Sequence, residues 1–334
     1  MKKIVIALFL FMSGIELNFG QESQQKNDTN LYTFFGNIVH EQFRFPLIGF
    51  VNIAGGNHNS PQTGFFNWNQ NNFGTLQLSF VNTVGGDMAG FQMGFVNTVA
   101  GGMGGFQTGF INTVAKSFNG VQLGFVNTAV GKEVKGLQLG LINTTVNKFA
   151  GAQISFVNIT KKINGLQFGF INYADSIEKG IPIGFLSIVR NGGYKAIEIG
   201  VSEISPFNLS FKIGVERFYT SFIVAYNPFR EGIREQVIWG AGFGTIIQLG
   251  NTFYLNPEIA SYNGINENFQ NYVSVIPYFG YNIIPNLSIV AGPSLVWTYN
   301  DKNIEKPFYK IIEHSINNKN KLYLGARMGI RFRW

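Results

Sequence analysis

The chain has 334 residues, of which 45% are hydrophobic and 13% charged, with 41 glycines and a formal net charge of +7. Ordinary soluble domains carry about 25% charged residues, so this composition is unusual for a soluble α/β enzyme. The longest unbroken apolar run, Ile4–Met12, falls well short of the roughly 20 residues of a membrane helix, which excludes a helical membrane protein. The sequence has no cysteine, which excludes disulfides and thiolate metal sites. Its basic residues are scattered, a distribution that does not indicate a nucleic-acid surface.

Residues 1–20 have the features of a secretory signal peptide. Lys2 and Lys3 precede the apolar run, and a small-residue cleavage site follows around Gly20–Gln21. A buried N-terminal strand or helix is the alternative interpretation. Residues 21–30 are polar and are predicted to be a disordered lead-in. We therefore expect an exported protein.

The segment 31–190 is built from a repeat with a period of 15 residues and occasional slips of one residue. Clear copies are Gly90–Asn97, Gly120–Asn127 and Gly165–Asn172. Within each copy the side chains alternate between an apolar face and a small, polar face. This alternation predicts one strand of about 8–10 residues followed by a turn of about five.

The Gly-x-Gln-x-Gly-[Phe/Leu]-[Val/Ile]-Asn units resemble the short surface repeat of spirochaete and Bacteroidetes envelope proteins. The resemblance covers the region from residue 45 to residue 190. It implies a location in the cell envelope and does not by itself imply an activity.

Two amide residues recur in the repeat and allow different interpretations. Glutamine recurs on the polar face, where a water-facing ladder between neighbouring strands is favoured over a binding role. Asparagines such as Asn97 and Asn112 follow the apolar face, and they suit the edge of a lipid-facing strand where a turn begins. The alternative is a parallel solenoid in which identical asparagines stack into ladders. A straight strand of about ten residues leaves too short a return path for a coil, which favours the barrel.

The segment 191–334 keeps the alternation and places its charges on one face. Tight turns are predicted at 191–193, 218–220, 250–251 and 284–286, and longer polar loops at 228–235, 263–271 and 301–320. Short turns at one rim and long loops at the other are typical of outer-membrane barrels, whose periplasmic turns are short.

The last strand supports the same interpretation. It has one apolar face that ends on Trp334, and its opposite face carries three arginines. Arginine is costly on a lipid-facing surface, so these side chains are predicted to point into a lumen. The terminal residues Ile330, Phe332 and Trp334 resemble the insertion signal that the barrel assembly machinery recognises. A soluble strand that ends in tryptophan is the alternative.

These patterns together predict an all-β fold, a transmembrane antiparallel β-barrel that meanders through roughly 18 strands and encloses an aqueous lumen. Residues 31–190 and 191–334 are expected to form one barrel in the outer membrane of a Gram-negative-type bacterium. The alternative is a β-solenoid repeat region attached to a smaller C-terminal barrel.

The predicted function is a pore-like or passive channel for small solutes, and the alternative is a surface-exposed structural or adhesive repeat protein. The only adjacent acid, base and hydroxyl, Glu313-His314-Ser315, lie on one loop without rigid support, so no enzymatic activity is expected. No cofactor, metal or nucleic-acid partner is predicted; the expected partners are outer-membrane lipid and the barrel assembly machinery. Neither a solute nor a surface ligand is indicated. The predicted lumen-lining residues are Gln77, Gln92, Gln107, Gln122, Gln138, Gln153, Gln167, Glu198, Lys212, Glu216, Glu258, Arg327, Arg331 and Arg333.

Overall fold

The computed structural model describes residues 30–41, 43–230, 236–264, 271–299, 308–317 and 320–334. The predicted signal peptide and residues 21–29 of the predicted lead-in lie outside the described residues. The strands form two sheets, one of 16 strands and one of 10. Among the described residues, no helix combines the length and the hydropathy needed to cross a membrane.

The first sheet is a parallel β-solenoid. Each coil lies in register on the next, so that Asn97 aligns with Asn82 in the preceding coil and with Asn112 in the following one. Its strands are β1 Leu31–Tyr32, β2 Gly36–Val39, β3 Leu47–Ile48, β4 Val51–Ala54, β5 Gln62–Thr63, β6 Phe66–Asn69, β7 Leu76–Leu78, β8 Val81–Val84, β9 Met88–Met93, β10 Val96–Val99, β11 Met103–Val114, β12 Phe118–Ala129, β13 Glu133–Leu139, β14 Ile142–Ile177, β15 Ile181–Ile183 and β16 Leu186–Asn191.

The coils bend in the middle of the segment that the sequence predicts as one straight strand, and in six of the ten coils the strand is interrupted there. In one coil, β9 ends at Met93 and β10 begins at Val96, and the chain turns at Gly94 and Phe95. Coils approach closely there: a Cβ atom on Gly94 would lie 2.1 Å from the carbonyl oxygen of Ser79. The bend lets a 15-residue repeat return to its starting point. The expectation that the return path is too short for a coil is therefore wrong, because the strand is not straight.

The solenoid interior is half polar. In the coil that begins at Met103, four side chains point inward, those of Met103, Gln107, Asn112 and Val114, and each is at most 3% exposed. Met103 and Val114 pack in an apolar cluster with their counterparts in other coils. The amides stack in columns, so their hydrogen bonds are made between coils.

The second sheet contains a closed antiparallel barrel of eight strands. β17, β18, β19, β20, β22, β23, β24 and β26 pair in that order, and β26 pairs with β17 to close the barrel. The strands are β17 Tyr194–Val201, β18 Phe207–Val215, β19 Phe218–Tyr226, β20 Val237–Gly244, β21 Ile247–Gln248, β22 Phe253–Gly264, β23 Asn271–Ile284, β24 Leu287–Tyr299, β25 Ile312–Asn317 and β26 Asn320–Arg333.

The expected single meander barrel of roughly 18 strands is wrong. Strands of the repeat pair in parallel with the next coil, whereas a meander barrel needs antiparallel neighbours, so residues 31–190 are not part of the barrel wall. The architecture is the alternative one, a β-solenoid followed by a smaller C-terminal barrel.

The two rims of the barrel differ. We call one the short-turn rim: it carries the turns at Glu216–Arg217, Gly250–Thr252 and Pro285–Asn286, the start of β17 and the end of β26. The first of these turns lies two residues before the predicted position, 218–220. The opposite rim, the loop rim, carries the connection 202–206 and the described residues on either side of 231–235. The predicted loop 301–320 contains a strand, β25, which pairs with β26. Residues 265–270 and 300–307 lie outside the described residues.

The last solenoid coil packs against the outer wall of the barrel. The hydroxyl of Thr220 on β19 donates a hydrogen bond to the carbonyl oxygen of Gly184, at 2.9 Å. The rings of Phe185 and Phe222 meet edge to face, with centroids 5.2 Å apart. The barrel wall therefore covers the open end of the solenoid.

Candidate functional site

Five of the predicted lumen residues come together inside the barrel. Glu198, Lys212, Glu258, Arg327 and Arg331 point inward, and each is at most 7% exposed. They come from four strands, β17, β18, β22 and β26, because the inward face alternates with the apolar outward face along each strand.

Four of them form a cluster near the short-turn rim, which we call the lower charge cluster. Lys212 Nζ lies 2.5 Å from Glu258 Oε2 and 3.6 Å from Glu198 Oε2. Arg331 Nε donates to Glu198 Oε2 at 2.7 Å. The Tyr219 hydroxyl donates to Glu258 Oε2, also at 2.7 Å. Two cations thus neutralise two carboxylates.

A second cluster lies nearer the loop rim and contains an acid, Glu203, that is absent from the predicted lumen residues. Arg327 Nε lies 3.0 Å from both carboxylate oxygens of Glu203. Ser294 Oγ donates to Glu203 Oε2 at 2.6 Å, and the Arg327 guanidinium lies 4.9 Å from the centroid of the Tyr262 ring. Glu203 follows β17, in a connection that folds back into the barrel, so strand alternation could not assign it a direction.

Side chains fill the barrel interior. An eight-stranded barrel is just wide enough for its own side chains, and buried tyrosines occupy much of the space between the charges. A small pocket lined in part by Ser210 and Tyr262 has room on the order of a water molecule. The inward tyrosines are Tyr194, Tyr219, Tyr254, Tyr262, Tyr272, Tyr278 and Tyr323.

Two predicted lumen residues lie at the short-turn rim. Arg333 Nη1 is 3.5 Å from Glu216 Oε1, and Arg333 Nε donates to the carbonyl oxygen of Pro285 at 2.7 Å. These groups are partly exposed and connect turns rather than line the interior.

The seven predicted lumen glutamines lie in the solenoid and not in the barrel. They form a ladder, as expected, but it is fully buried and does not face water. In it, Gln107 Nε2 donates to Gln92 Oε1 at 2.7 Å, and the same bond joins the other successive members. The members are Gln77, Gln92, Gln107, Gln122, Gln138, Gln153 and Gln167, preceded by Gln62.

The asparagines form a second buried ladder, as the solenoid alternative requires. Asn97 Nδ2 donates to Asn112 Oδ1 at 2.9 Å and to the carbonyl oxygen of Thr108 at 2.8 Å. Each asparagine therefore joins its coil to the next at the corner of the coil.

The outward face of the barrel is apolar. Lys195, at the short-turn rim, is the one charged residue at an outward position of the eight wall strands within the described residues. Ile330, Phe332 and Trp334, the predicted insertion signal, all point outward and are exposed. Aromatic residues occur toward both rims, among them Phe243, Phe253 and Tyr281 on one side and Tyr226, Trp239 and Trp297 on the other.

An exposed column of large apolar side chains runs along the solenoid, and we call it the apolar spine. Each member follows the corner glycine or serine, and neighbouring rings stack with centroids 4.6 to 5.1 Å apart. The recurrence of phenylalanine at the repeat period is the sequence signal for this column. Its members are Phe50, Phe65, Phe80, Phe95, Phe110, Phe125, Leu141, Phe156, Phe170 and Phe185.

The charged residues of the solenoid lie on the opposite side of the coils, which we call the charged edge. From Phe50 to Phe185 no charged residue lies within four positions of a spine residue. Lys148 and Lys162 pair with Glu178 at 2.9 and 3.5 Å, which joins successive coils along this edge. Hydrogen bonding to Lys148 lowers the pKa of the Glu178 carboxyl.

Comparison of the chain with protein-family models and with curated proteins finds no match.

Proposed function

We propose that this chain is a non-enzymatic structural protein whose barrel spans the outer membrane and holds the solenoid at the membrane's periplasmic side. The observation that supports this most strongly is the inverted polarity of the barrel. Its charges lie inside and are paired, whereas its outer wall is apolar. Such a wall suits lipid, and closure of the sheet pairs the backbone groups that lipid cannot hydrogen-bond.

The dimensions of the outer wall fit the hydrocarbon layer. Outward residues on β24 run from Leu287 to Trp297. Ten residue steps at about 3.3 Å, tilted by about 40°, span roughly 25 Å, which is the height of the apolar band of outer-membrane barrels.

The rims support an orientation. Outer-membrane barrels turn their short connections toward the periplasm. The solenoid enters β17 at the short-turn rim, where β26 also ends. The solenoid is therefore assigned to the periplasmic side. The alternative function, a structural repeat protein exposed on the cell surface, is accordingly proposed here as a structural repeat protein that faces the periplasm.

The filled interior favours an anchor over the predicted passive pore. Paired charges and tyrosines occupy the space that a solute path would need. We expect the protein to give no steady conductance in planar bilayers.

Single-cysteine labelling tests the proposal, because the natural chain has no cysteine and each variant carries one thiol. Ser315→Cys on β25 at the loop rim and Asn251→Cys at the short-turn rim are expressed in full-length protein in a Gram-negative host. A membrane-impermeant maleimide is expected to label Ser315→Cys in intact cells, and to label Asn251→Cys only after the outer membrane is permeabilised.

Ser274→Cys, buried inside the barrel, is the matched control and should label only after denaturation. Labelling of Asn251→Cys but not Ser315→Cys in intact cells would reverse the orientation. Release of the protein by alkaline extraction would show that the barrel is not integral to the membrane.

A further inference from the structure

We infer that the solenoid is itself a membrane-bound element, whose apolar spine inserts into the periplasmic leaflet of the lipid bilayer beside the barrel. This inference rests on the proposed function and adds to it a second lipid contact. Five observations support it: the continuity of the spine with the barrel wall, the direction of the coils, the satisfaction of backbone groups at the corner, the apolar side chains around the corner, and the separation of charge.

The spine continues the lipid-facing wall of the barrel without a gap. Its last member, Phe185, contacts Phe222, which points outward from the middle of β19 and is paired across the sheet with Phe211. Phe222 lies four residues from the start of β19 at the short-turn rim, roughly 10 Å along the barrel axis. The end of the spine therefore lies inside the apolar belt.

The opposite side of the last coil lies near water. Val189 packs with Val215, the residue just before the turn at the short-turn rim. The coil thus points its spine corner toward the bilayer centre and its charged edge toward the periplasm. Because the barrel wall covers the open end of the solenoid, the coils extend sideways along the membrane. Nine strand spacings of about 4.8 Å give the spine a length of roughly 43 Å.

The backbone at the corner suits a medium without water. The amide of Phe110 donates to the carbonyl oxygen of Phe95 at 3.0 Å, and the amide of Gly94 donates to that of Thr108 at 3.1 Å. The Asn97 side chain donates to the same Thr108 oxygen. Coil-to-coil bonds therefore satisfy the polar groups that lipid cannot.

The side chains around the corner are mostly apolar. On one side of the spine the position of Met93 is apolar in eight of the ten coils and is threonine in the other two, Thr63 and Thr108. On the other side lie half-buried apolar residues such as Val96 and Ile111. In the five central coils, threonines at the repeat position of Thr113 begin the polar part of the coil. Insertion of 5–10 Å, the usual depth of elements that lie in one leaflet, would bury the corner and leave these threonines at its boundary.

The charged edge matches the surface of an anionic leaflet. Between Phe50 and Phe185 and in the coil that follows, this edge carries eight basic and four acidic residues. An excess of basic groups at headgroup level is attracted to anionic lipid. The residues are Asp87, Lys116, Lys132, Glu133, Lys135, Lys148, Lys161, Lys162, Asp175, Glu178, Lys179 and Arg190.

Site-specific quenching tests the inference on the full chain reconstituted in vesicles of phosphatidylethanolamine and phosphatidylglycerol. The environment-sensitive dye NBD is attached to Phe110→Cys on the spine, to Lys116→Cys on the charged edge of the same coil, and to Ile289→Cys on the outer barrel wall. Quenching is compared between nitroxide-labelled acyl chains and aqueous iodide. We expect Phe110→Cys and Ile289→Cys to be quenched mainly by the acyl chains, and Lys116→Cys mainly by iodide.

The three sites separate the two proposals. If Ile289→Cys is quenched by acyl chains but Phe110→Cys is quenched by iodide, the barrel spans the membrane and the inference about the spine is wrong. If Phe110→Cys is shielded from both quenchers, a protein contact covers the spine, which also overturns the inference. If Ile289→Cys is quenched by iodide, the proposed membrane barrel itself fails. Phe80→Cys repeats the spine measurement. Heat-modifiable migration confirms that the barrel of each variant has folded, and hydrogen-exchange protection of the coil strands confirms it for the solenoid.

Discussion

At the scale of single residues, the two amide ladders of the solenoid point in opposite directions. Asn97 donates to Asn112 in the following coil, whereas Gln107 donates to Gln92 in the preceding coil. The dipoles of the two columns therefore oppose each other, and a long stack accumulates little net dipole. The glutamine column ends where Leu47 and Pro182 take the glutamine position.

His58 is an exception in the apolar column of the solenoid. It occupies the position of Phe73 and Met88, it is 2% exposed, and its Nε2 has no hydrogen-bond partner. Its Nδ1 lies 3.1 Å from the carbonyl oxygen of Phe43. Burial lowers the pKa of the imidazole below its ordinary value.

This histidine predicts a pH dependence. In the unfolded chain His58 protonates at its ordinary pKa, about 6.5, and in the folded chain only at lower pH. The unfolded state then binds more protons, so the stability of the first coils falls as the pH drops through this region. We expect His58→Phe to flatten this dependence, as measured by the protection factors of the β4 and β6 amides at pH 8 and pH 5, which correct hydrogen exchange for its slower intrinsic chemistry at low pH. A variant whose protection factors still fall at pH 5 as those of the natural chain do would contradict the assignment, and His314→Gln, at an exposed site, is the control.

The pairing of Glu203 with Arg327 predicts a strong mutational effect. Arg327→Met leaves a buried carboxylate without its cation and is expected to destabilise the barrel by about 3–5 kcal/mol. The double variant Glu203→Gln/Arg327→Met removes the unpaired charge and should recover most of this loss. The measurement is the urea midpoint at which the heat-modifiable band is lost in detergent micelles. Equal midpoints for the single and double variants would show that the ion pair is not the source of the effect.

At the scale of the coil, close approach between neighbours fixes where glycine is required. Gly136 has φ +121°, and a Cβ there would lie 1.9 Å from the carbonyl oxygen of Gly120. Gly104, also on a strand, has open space around its Cβ position. One period of the repeat therefore contains glycines with different structural requirements.

These two glycines form a matched pair for measurement. Gly136→Ala meets both an unfavourable φ and a backbone clash, so we expect a loss of about 1–3 kcal/mol or more. Gly104→Ala should change stability by less than about 1 kcal/mol, in either direction. Hydrogen exchange of β11, β12 and β13 in the detergent-solubilised full chain reports the difference. Similar exchange in the two variants would show that coil spacing is looser than the structure indicates.

Sequence alternation shows which side chains share one face of a strand, but it does not show which strands pair with one another. Alternation in β18 and β26 predicts one common face for Lys212, Arg327 and Arg331, because period-two patterns depend only on strand geometry. In the structure these three side chains are buried inside the barrel. The strand pairing of the repeat did not follow from alternation, because the bend at positions such as Gly94 and Phe95 leaves the pattern unchanged. Glu203 was missed for a related reason: loops have no fixed period.

At the scale of the whole molecule, the two parts follow opposite rules for burying polar groups. The barrel encloses ion pairs between distant strands, such as Glu198 with Arg331. The solenoid encloses neutral amides that repeat in register. Each ion pair in the barrel joins two particular strands and so specifies which strands are neighbours. Each amide column, in contrast, can hydrogen-bond to any coil that carries the same amide at the same position.

Because an amide column can pair with any coil that carries the same amide, the length of the solenoid can change during evolution. A duplicated coil inserted next to the one that begins at Met103 would offer the same donor and acceptor on its two sides, so no new interface would have to arise. Recombination between such similar segments of the gene would lengthen or shorten the protein in steps of one strand spacing, about 4.8 Å. The barrel would stay unaltered, and only the distance from the barrel to the far end of the solenoid would change.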